Sequence, residues 1–317
     1  MSFDRMKERV LAIPQVAAWP EMVEMIQIAT HQDWRSLWDY PFIACRAMGR
    51  DAAEAIPGAA AVFCSLASIH LVDDMLDDDD RGLYHSLGVG PTANMALAFQ
   101  AAAHLVLEEV KDAATRALLQ GNVAAMSLAT ALGQHIDATR EVSGEEDYWR
   151  VVHTKTPPLF GTAFFLGSLL GGASPETARQ MERLGGAMGV FIQVSDDLAD
   201  ALKVPAGTDW RRRTNNLPIL YALTADHSER DEFGRLAERA GEPAALEEAQ
   251  RILLRSGAVS YCALKLIELS RLARGLLAEI ELPDPEPVRR LIEMQLKPLD
   301  HLLRSVGVDT PAALLLD

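Results

Sequence analysis

Ala59-Ala60-Ala61-Val62-Phe63-Cys64-Ser65-Leu66-Ala67-Ser68-Ile69-His70-Leu71-Val72 runs straight into Asp73-Asp74-Met75-Leu76-Asp77. A helix drawn through Ala59 to Val72 is apolar on nearly every side, so other helices must surround it. Phe160 to Ala173 has the same all-round apolar character and forms a second interior segment. Elsewhere, segments rich in Ala, Leu, Met, Glu and Arg follow one another, and the period-two β-branched and aromatic runs expected of strands are missing. The chain therefore reads as all-α. Breaks fall at Pro14, Pro20, Pro57-Gly58, Gly88-Val89-Gly90-Pro91, Ser143-Gly144, Gly171-Gly172, Pro205-Ala206-Gly207, Gly241-Glu242-Pro243 and Pro283-Asp284-Pro285. None is long enough for a flexible linker, which predicts one helical domain over residues 1–317. Ser174 as N-cap and Pro175 at the first helical position start a helix running towards Lys203.

That helix carries a second aspartate cluster, Asp196-Asp197-Leu198-Ala199-Asp200, after the apolar run Gly189 to Val194. Asp73 and Asp77 are four residues apart, as are Asp196 and Asp200, so each pair shares one helix face. Stacked carboxylates destabilise a bare helix by a few tenths of a kcal/mol, a cost that a cation relieves. Mg²⁺ prefers one or two carboxylates together with waters and phosphate oxygens. Two such helices facing each other would hold a diphosphate through bridging ions. An isolated run such as Asp77 to Asp80 is ordinarily a solvated loop or helix end; the second cluster is what points to chemistry. An EF-hand reading of Asp77-Asp78-Asp79-Asp80-Arg81-Gly82 fails, because position five is Arg81 and position twelve is Gly88. No P-loop, dinucleotide fingerprint, H-E-x-x-H or G-x-S-x-G occurs.

Composition narrows the partners. Hydrophobic residues make up 49% of the 317, enough for a sizeable core, and the formal net charge of -15 disfavours nucleic acid. Cys45, Cys64 and Cys262 are widely spaced without a C-x-x-C pair and read as reduced, buried thiols. The N-terminus is too charged for a secretory signal. No apolar stretch is read as reaching the roughly 20 residues of a membrane span, so the expectation is a cytoplasmic protein without a stable membrane anchor.

The sequence resembles the trans-isoprenyl diphosphate synthase (polyprenyl synthetase) family. The resemblance rests on Ala59 to Asp77, Gly133-Gln134-His135-Ile136-Asp137, Lys155-Thr156, Gln193 to Asp200, Gly207-Thr208-Asp209 and Leu217-Pro218, in that order. It implies a helical bundle around a deep central cavity, usually in a homodimer, with three Mg²⁺ ions at the cavity mouth. Asp73 and Asp77 would ligate two ions and Asp196 the third, with Asp74, Asp197 and Asp200 in supporting contacts. Arg81 and Lys155 would hold an allylic diphosphate, Gln134 would border the substrate, and Thr156 and Gln193 would lie beside the developing carbocation. Taken alone, Lys155 reads equally as a surface helix lysine and Gln193 as a buried hydrogen-bonded amide. The family's chain-length rule falls on Ser68 and Ile69. Neither is aromatic, which implies a substrate or product of C15–C20 or longer.

The sequence also departs from the family. The basic segment that binds isopentenyl diphosphate corresponds to Arg35-Ser36-Leu37-Trp38-Asp39-Tyr40-Pro41, where only Arg35 is basic and Asp39 adds a repelling charge. Arg-Arg-Gly after the first cluster is reduced to Asp80-Arg81-Gly82, and Gly-Lys-x-Thr-Leu-Pro reads Arg213-Thr214-Asn215-Asn216-Leu217-Pro218, with Arg211, Arg212 and Arg213 nearby. Each lost charge-assisted hydrogen bond weakens binding by roughly 1.5–3 kcal/mol. The expectation is an enzyme that ionises a prenyl diphosphate, then cyclises it, eliminates a proton or passes the prenyl group to an unusual acceptor. Ordinary chain elongation is the alternative. A non-catalytic partner subunit is the third reading, against which both retained clusters argue.

Overall fold

A computed structural model describes residues 2–29, 37, 39–139, 144–212 and 215–305. Seventeen α-helices follow in chain order: α1 (Ser2–Leu11), α2 (Pro14–Ala17), α3 (Pro20–Ala29), α4 (Tyr40–Ala47), α5 (Ile56–Asp77), α6 (Tyr84–Leu87), α7 (Val89–Leu105), α8 (Ala113–Thr139), α9 (Glu145–Lys155), α10 (Pro157–Leu170), α11 (Pro175–Leu202), α12 (Thr208–Arg212), α13 (Leu217–Thr224), α14 (Arg230–Ala237), α15 (Pro243–Arg255), α16 (Ala258–Glu279) and α17 (Glu286–Ser305). No strand occurs among the described residues, in keeping with the missing period-two alternation.

The two apolar runs become α5 and α10, both enclosed. In α5 every residue from Gly58 to Ser68 is buried, and in α10 every residue from Leu159 to Leu169. One expectation needs correcting. The segment Ala52–Asp77 is long and apolar enough to cross a membrane; an 18-residue stretch within it has a mean hydropathy of 1.8, and 72% of that stretch lies inside the fold. Reading the aspartates as the end of a shorter apolar stretch hid its length. The three cysteines are free and buried, as expected.

Helix α11 starts as its N-terminal residues dictate, with Ser174 Oγ accepting from the Thr177 amide at 3.1 Å and Pro175 in the first turn. It joins two hydrophobic clusters: Met181, Leu184 and Met188 belong to the one built on α4, α5, α7 and α10. Val190, Phe191, Val194 and Leu198 belong to the one built on α9, α13, α15 and α16. Ile192 packs against both. Helix α10 crosses α4 at Gly167, where a Cβ would stand 2.2 Å from the Pro41 carbonyl oxygen. Tyr40 fills the space alongside, its ring 5.4 Å from Phe160 and 5.5 Å from Phe164.

Candidate active site

A cavity of about 520 Å³ opens between α5, α8, α9, α10 and α11. From α5 it receives Leu66, Ile69, His70, Asp73 and Asp77. These positions share one face at the helical repeat. Ser68 is not among the lining residues; it lies two positions from Leu66, so the helix turns its side chain away from the lining face. Of the two positions singled out by the chain-length rule, the cavity wall includes Ile69 alone. Helix α11 contributes Ile192, Gln193, Asp196, Asp197 and Asp200 to the same cavity, so both aspartate clusters face one space. Each cluster sits in the last turns of its helix, where the negative end of the helix dipole adds to carboxylate repulsion.

Lys155 ends α9 between the walls. Its Nζ lies 3.0 Å from Asp73 Oδ1 and 2.8 Å from Asp137 Oδ2. Burial alone would lower its pKa, but the Asp73, Asp137 and Asp77 carboxylates outweigh that and hold it above the ordinary lysine value. Gln134, 4% exposed, donates from Nε2 to Asp73 Oδ1 at 2.9 Å. Helices α8 and α9 come this close because position 133 is glycine: a Cβ there would stand 2.6 Å from the Lys155 amide nitrogen and the Thr154 carbonyl.

Burial raises the Asp74 carboxyl to about 6, helped by Asp79 and Asp73. Asp196 is open to solvent at the mouth, yet crowding by the cavity walls, then Asp200 and Asp209, raises it to about 6 as well. A divalent cation answers all three causes at once. The donors are oxygens, which suits Mg²⁺ or Ca²⁺ better than a softer metal. Among the described residues no three His, Cys, Asp or Glu side chains already converge as a metal cage.

Asp197 is different. It is 2% exposed and accepts hydrogen bonds from Tyr148 Oη at 2.5 Å, the Leu217 amide at 3.0 Å and Gln193 Nε2 at 2.9 Å. Burial pushes it up to about 7 against those donors. Gln193 Oε1 in turn accepts from Thr156 Oγ1 at 2.6 Å. Asn216 joins the Asp197 carbonyl and Asp209 Oδ2, each at 2.7 Å.

Arg81 does not line this cavity. Its side chain is 84% exposed and paired with Asp79 at 2.8 Å, beyond the left-handed Asp78 that ends α5. It borders an adjoining cavity of about 650 Å³ with Lys203, and the two cavities share Asp200, Thr208 and Asp209. The sequence had given no role to Lys203, Asp137, Tyr148, Asp209 or Asn215. For Tyr148 a signal existed, since it lies two helical turns before Lys155. Arg35 and the Arg213 position lie outside the described residues, as do the side chains of Arg211 and Arg212.

Known proteins are similar to this chain in sequence and in fold. A geranylgeranyl diphosphate synthase of Mycobacterium tuberculosis is 31% identical over 200 residues, covering 58% of this chain and 57% of that protein. A short chain isoprenyl diphosphate synthase of Methanothermobacter thermautotrophicus is 27% identical over 270 residues, 79% of this chain and 81% of that one. The solved structure of geranylgeranyl pyrophosphate synthase from Corynebacterium glutamicum, complexed with calcium and isoprenyl diphosphate, superimposes with a TM-score of 0.76. It is 20% identical, with 94% of each chain covered, and so speaks to the fold. The polyprenyl synthetase family model matches residues 40–253, and with the paired aspartate walls in place the chain belongs to that family of trans-isoprenyl diphosphate synthases.

Proposed function

We propose that the protein is a trans-prenyl diphosphate synthase that adds isopentenyl diphosphate to an allylic prenyl diphosphate. The observation that carries this reading is one cavity walled by Asp73 and Asp77 on one side and Asp196 and Asp200 on the other, with Lys155 at their junction and apolar side chains below. The curated relatives, diphosphate synthases by name, favour elongation over the cyclisation, elimination or unusual transfer that the depleted basic segment suggested. Arg81 and Lys203 beside the second cavity offer cations for a second diphosphate.

Asp73, Asp77 and Asp196 are the candidate Mg²⁺ ligands, with Asp74, Asp197 and Asp200 supporting them. The calcium bound with isoprenyl diphosphate in the Corynebacterium enzyme favours a divalent ion here. Such an ion would neutralise the diphosphate oxygens as they take the electrons of the breaking carbon–oxygen bond. Lys155 anchors the same charge from the protein side. Leu66, Leu159 and Phe160 keep water from the allylic cation. The protein is further proposed to be a single-domain cytoplasmic enzyme, with the apolar α5 serving the interior.

The test is a product assay with Mg²⁺ and geranyl, farnesyl or geranylgeranyl diphosphate, with and without isopentenyl diphosphate. Longer prenyl diphosphates should form only with both substrates. Equal diphosphate release without isopentenyl diphosphate would replace elongation with a terpene synthase-like reaction.

The enzyme is also proposed to be a homodimer. Leu97 on α7 and Leu128 and Leu132 on α8 are 71%, 73% and 54% exposed, and the two helices touch where Gln100 Nε2 donates to Ser127 Oγ at 2.7 Å. A second copy would cover this apolar surface. The double change Leu128→Asp and Leu132→Asp should halve the mass seen by light scattering while far-UV circular dichroism is retained. A wild type of monomer mass at micromolar concentration would end the idea.

A further inference from the structure

Tyr148, Asp197, Gln193 and Thr156 form a hydrogen-bond chain. The Tyr148 hydroxyl donates to Asp197 Oδ2 at 2.5 Å, and the Leu217 amide donates to the same oxygen at 3.0 Å. Gln193 Nε2 donates to Asp197 Oδ1 at 2.9 Å, and the Thr156 hydroxyl donates to Gln193 Oε1 at 2.6 Å. A backbone amide can only donate, so Asp197 accepts from Leu217, and with Tyr148 and Gln193 three donors converge on this one side chain. Gln193 turns its NH₂ group towards Asp197 and its carbonyl oxygen towards Thr156. That carbonyl then takes the single proton of Thr156 and leaves the lone pairs of Thr156 Oγ1 unspent. All four residues line the cavity between the two aspartate clusters, but Asp197 is 2% exposed. The protons thus run towards the buried carboxylate, and the oxygens stay at the opposite end.

We propose that Tyr148 and Asp197 are positioning residues: they lock the Gln193 amide, and through it Thr156, so that oxygen rather than N–H or O–H is offered to the allylic cation. This rests on the prenyl-transfer reading above. When the allylic carbon–oxygen bond breaks, its electron pair leaves with diphosphate. The positive carbon is then held until the isopentenyl double bond attacks it, and the proton lost as the new double bond forms passes to the released diphosphate. A flipped Gln193 would place N–H groups against that charge, and in a site of low dielectric the wrong dipole is costly. Tyr148 supplies the lock by holding Asp197 from the side opposite Gln193, where water would otherwise compete.

A double-mutant cycle tests this. Tyr148→Phe should lower kcat about tenfold while KM for both diphosphates stays within about twofold. In a Gln193→Ala background the same change should alter kcat by less than about twofold, because the group it positions is gone. Asp197→Asn, which brings an N–H donor to Gln193, should also lower kcat at unchanged KM, and it is run through the same cycle. It decides the matter if Tyr148→Phe loses its helical circular dichroism. Additive effects in the cycle, or a loss confined to KM, would overturn the positioning role. If the wild type consumes no allylic diphosphate, the functional reading itself falls and takes this one with it. If the wild type elongates and the cycle is additive, only the positioning role fails.

Discussion

Replacing Asp73 with alanine should cut kcat about 10³-fold and leave the helical fold in place. Asp73 meets both Gln134, at 2.9 Å, and Lys155, at 3.0 Å. Its removal takes away a candidate cation ligand and one of the two carboxylates within 3.0 Å of the lysine. The lysine is not stranded, because Asp137 remains 2.8 Å away, so the severe penalty of an unpaired buried charge does not arise. The structural cost reduces to one unsatisfied amide donor on Gln134, of the order of 1–3 kcal/mol. Diphosphate release at saturating substrate gives the kinetic term, and far-UV circular dichroism with a melting curve gives the structural one. A kcat within tenfold of wild type would remove Asp73 from the reacting centre.

Gly167→Ala should have the largest effect on stability of any single methyl addition in the core. The new Cβ would lie 2.2 Å from the Pro41 carbonyl oxygen and 2.6 Å from its Cα. Both are backbone atoms, so no rotamer change relieves the clash. Helices α10 and α4 must separate, and the packing of Tyr40 on Phe160 and Phe164 separates with them. Overpacking of a core usually costs about 1–3 kcal/mol, and a backbone clash belongs at or above the upper end. For a chain of this length about 3 kcal/mol corresponds to roughly 5 °C in Tm. A melting temperature unchanged within about 1 °C would mean that the two helices can part without loss.

The parts of this fold legible in the sequence are those written locally. Ser174 and Pro175 placed the start of α11 correctly, because a cap and a first-turn proline act within four residues. The all-round apolar runs identified α5 and α10 as interior, since no surface helix tolerates such a pattern. The two aspartate clusters were legible because each is a single-turn pattern. Lys155 had two readings in sequence, and its partners resolve them: Asp73 lies 82 residues away in the chain and Asp137 lies 18 away. The Tyr148–Asp197 contact spans 49 residues and joins two helices whose mutual rotation no local pattern encodes. The placement of Ser68 off the cavity face is illegible for a related reason. Counting back from the aspartates selected a position by sequence distance, whereas the cavity sees the face shared by Leu66, Ile69, His70, Asp73 and Asp77. Arg81 enters the sequence reading through the family motif after the first cluster; the left-handed turn at Asp78 sets it beside the adjoining cavity, a placement that no local pattern encodes.

The enclosed α5 helix also bears on how the protein must be made. Its apolar window is complete once Asp77 has been synthesised, yet α10, which helps to enclose it, ends at Leu170, more than ninety residues later. At roughly 5–20 residues per second, translation leaves that helix without part of its cover for roughly 5–20 s. During that interval the nascent chain displays a segment with the length and oiliness of a membrane anchor. Until the last wall arrives, its fate is a contest between completing the bundle and being captured by chaperones or by a lipid bilayer.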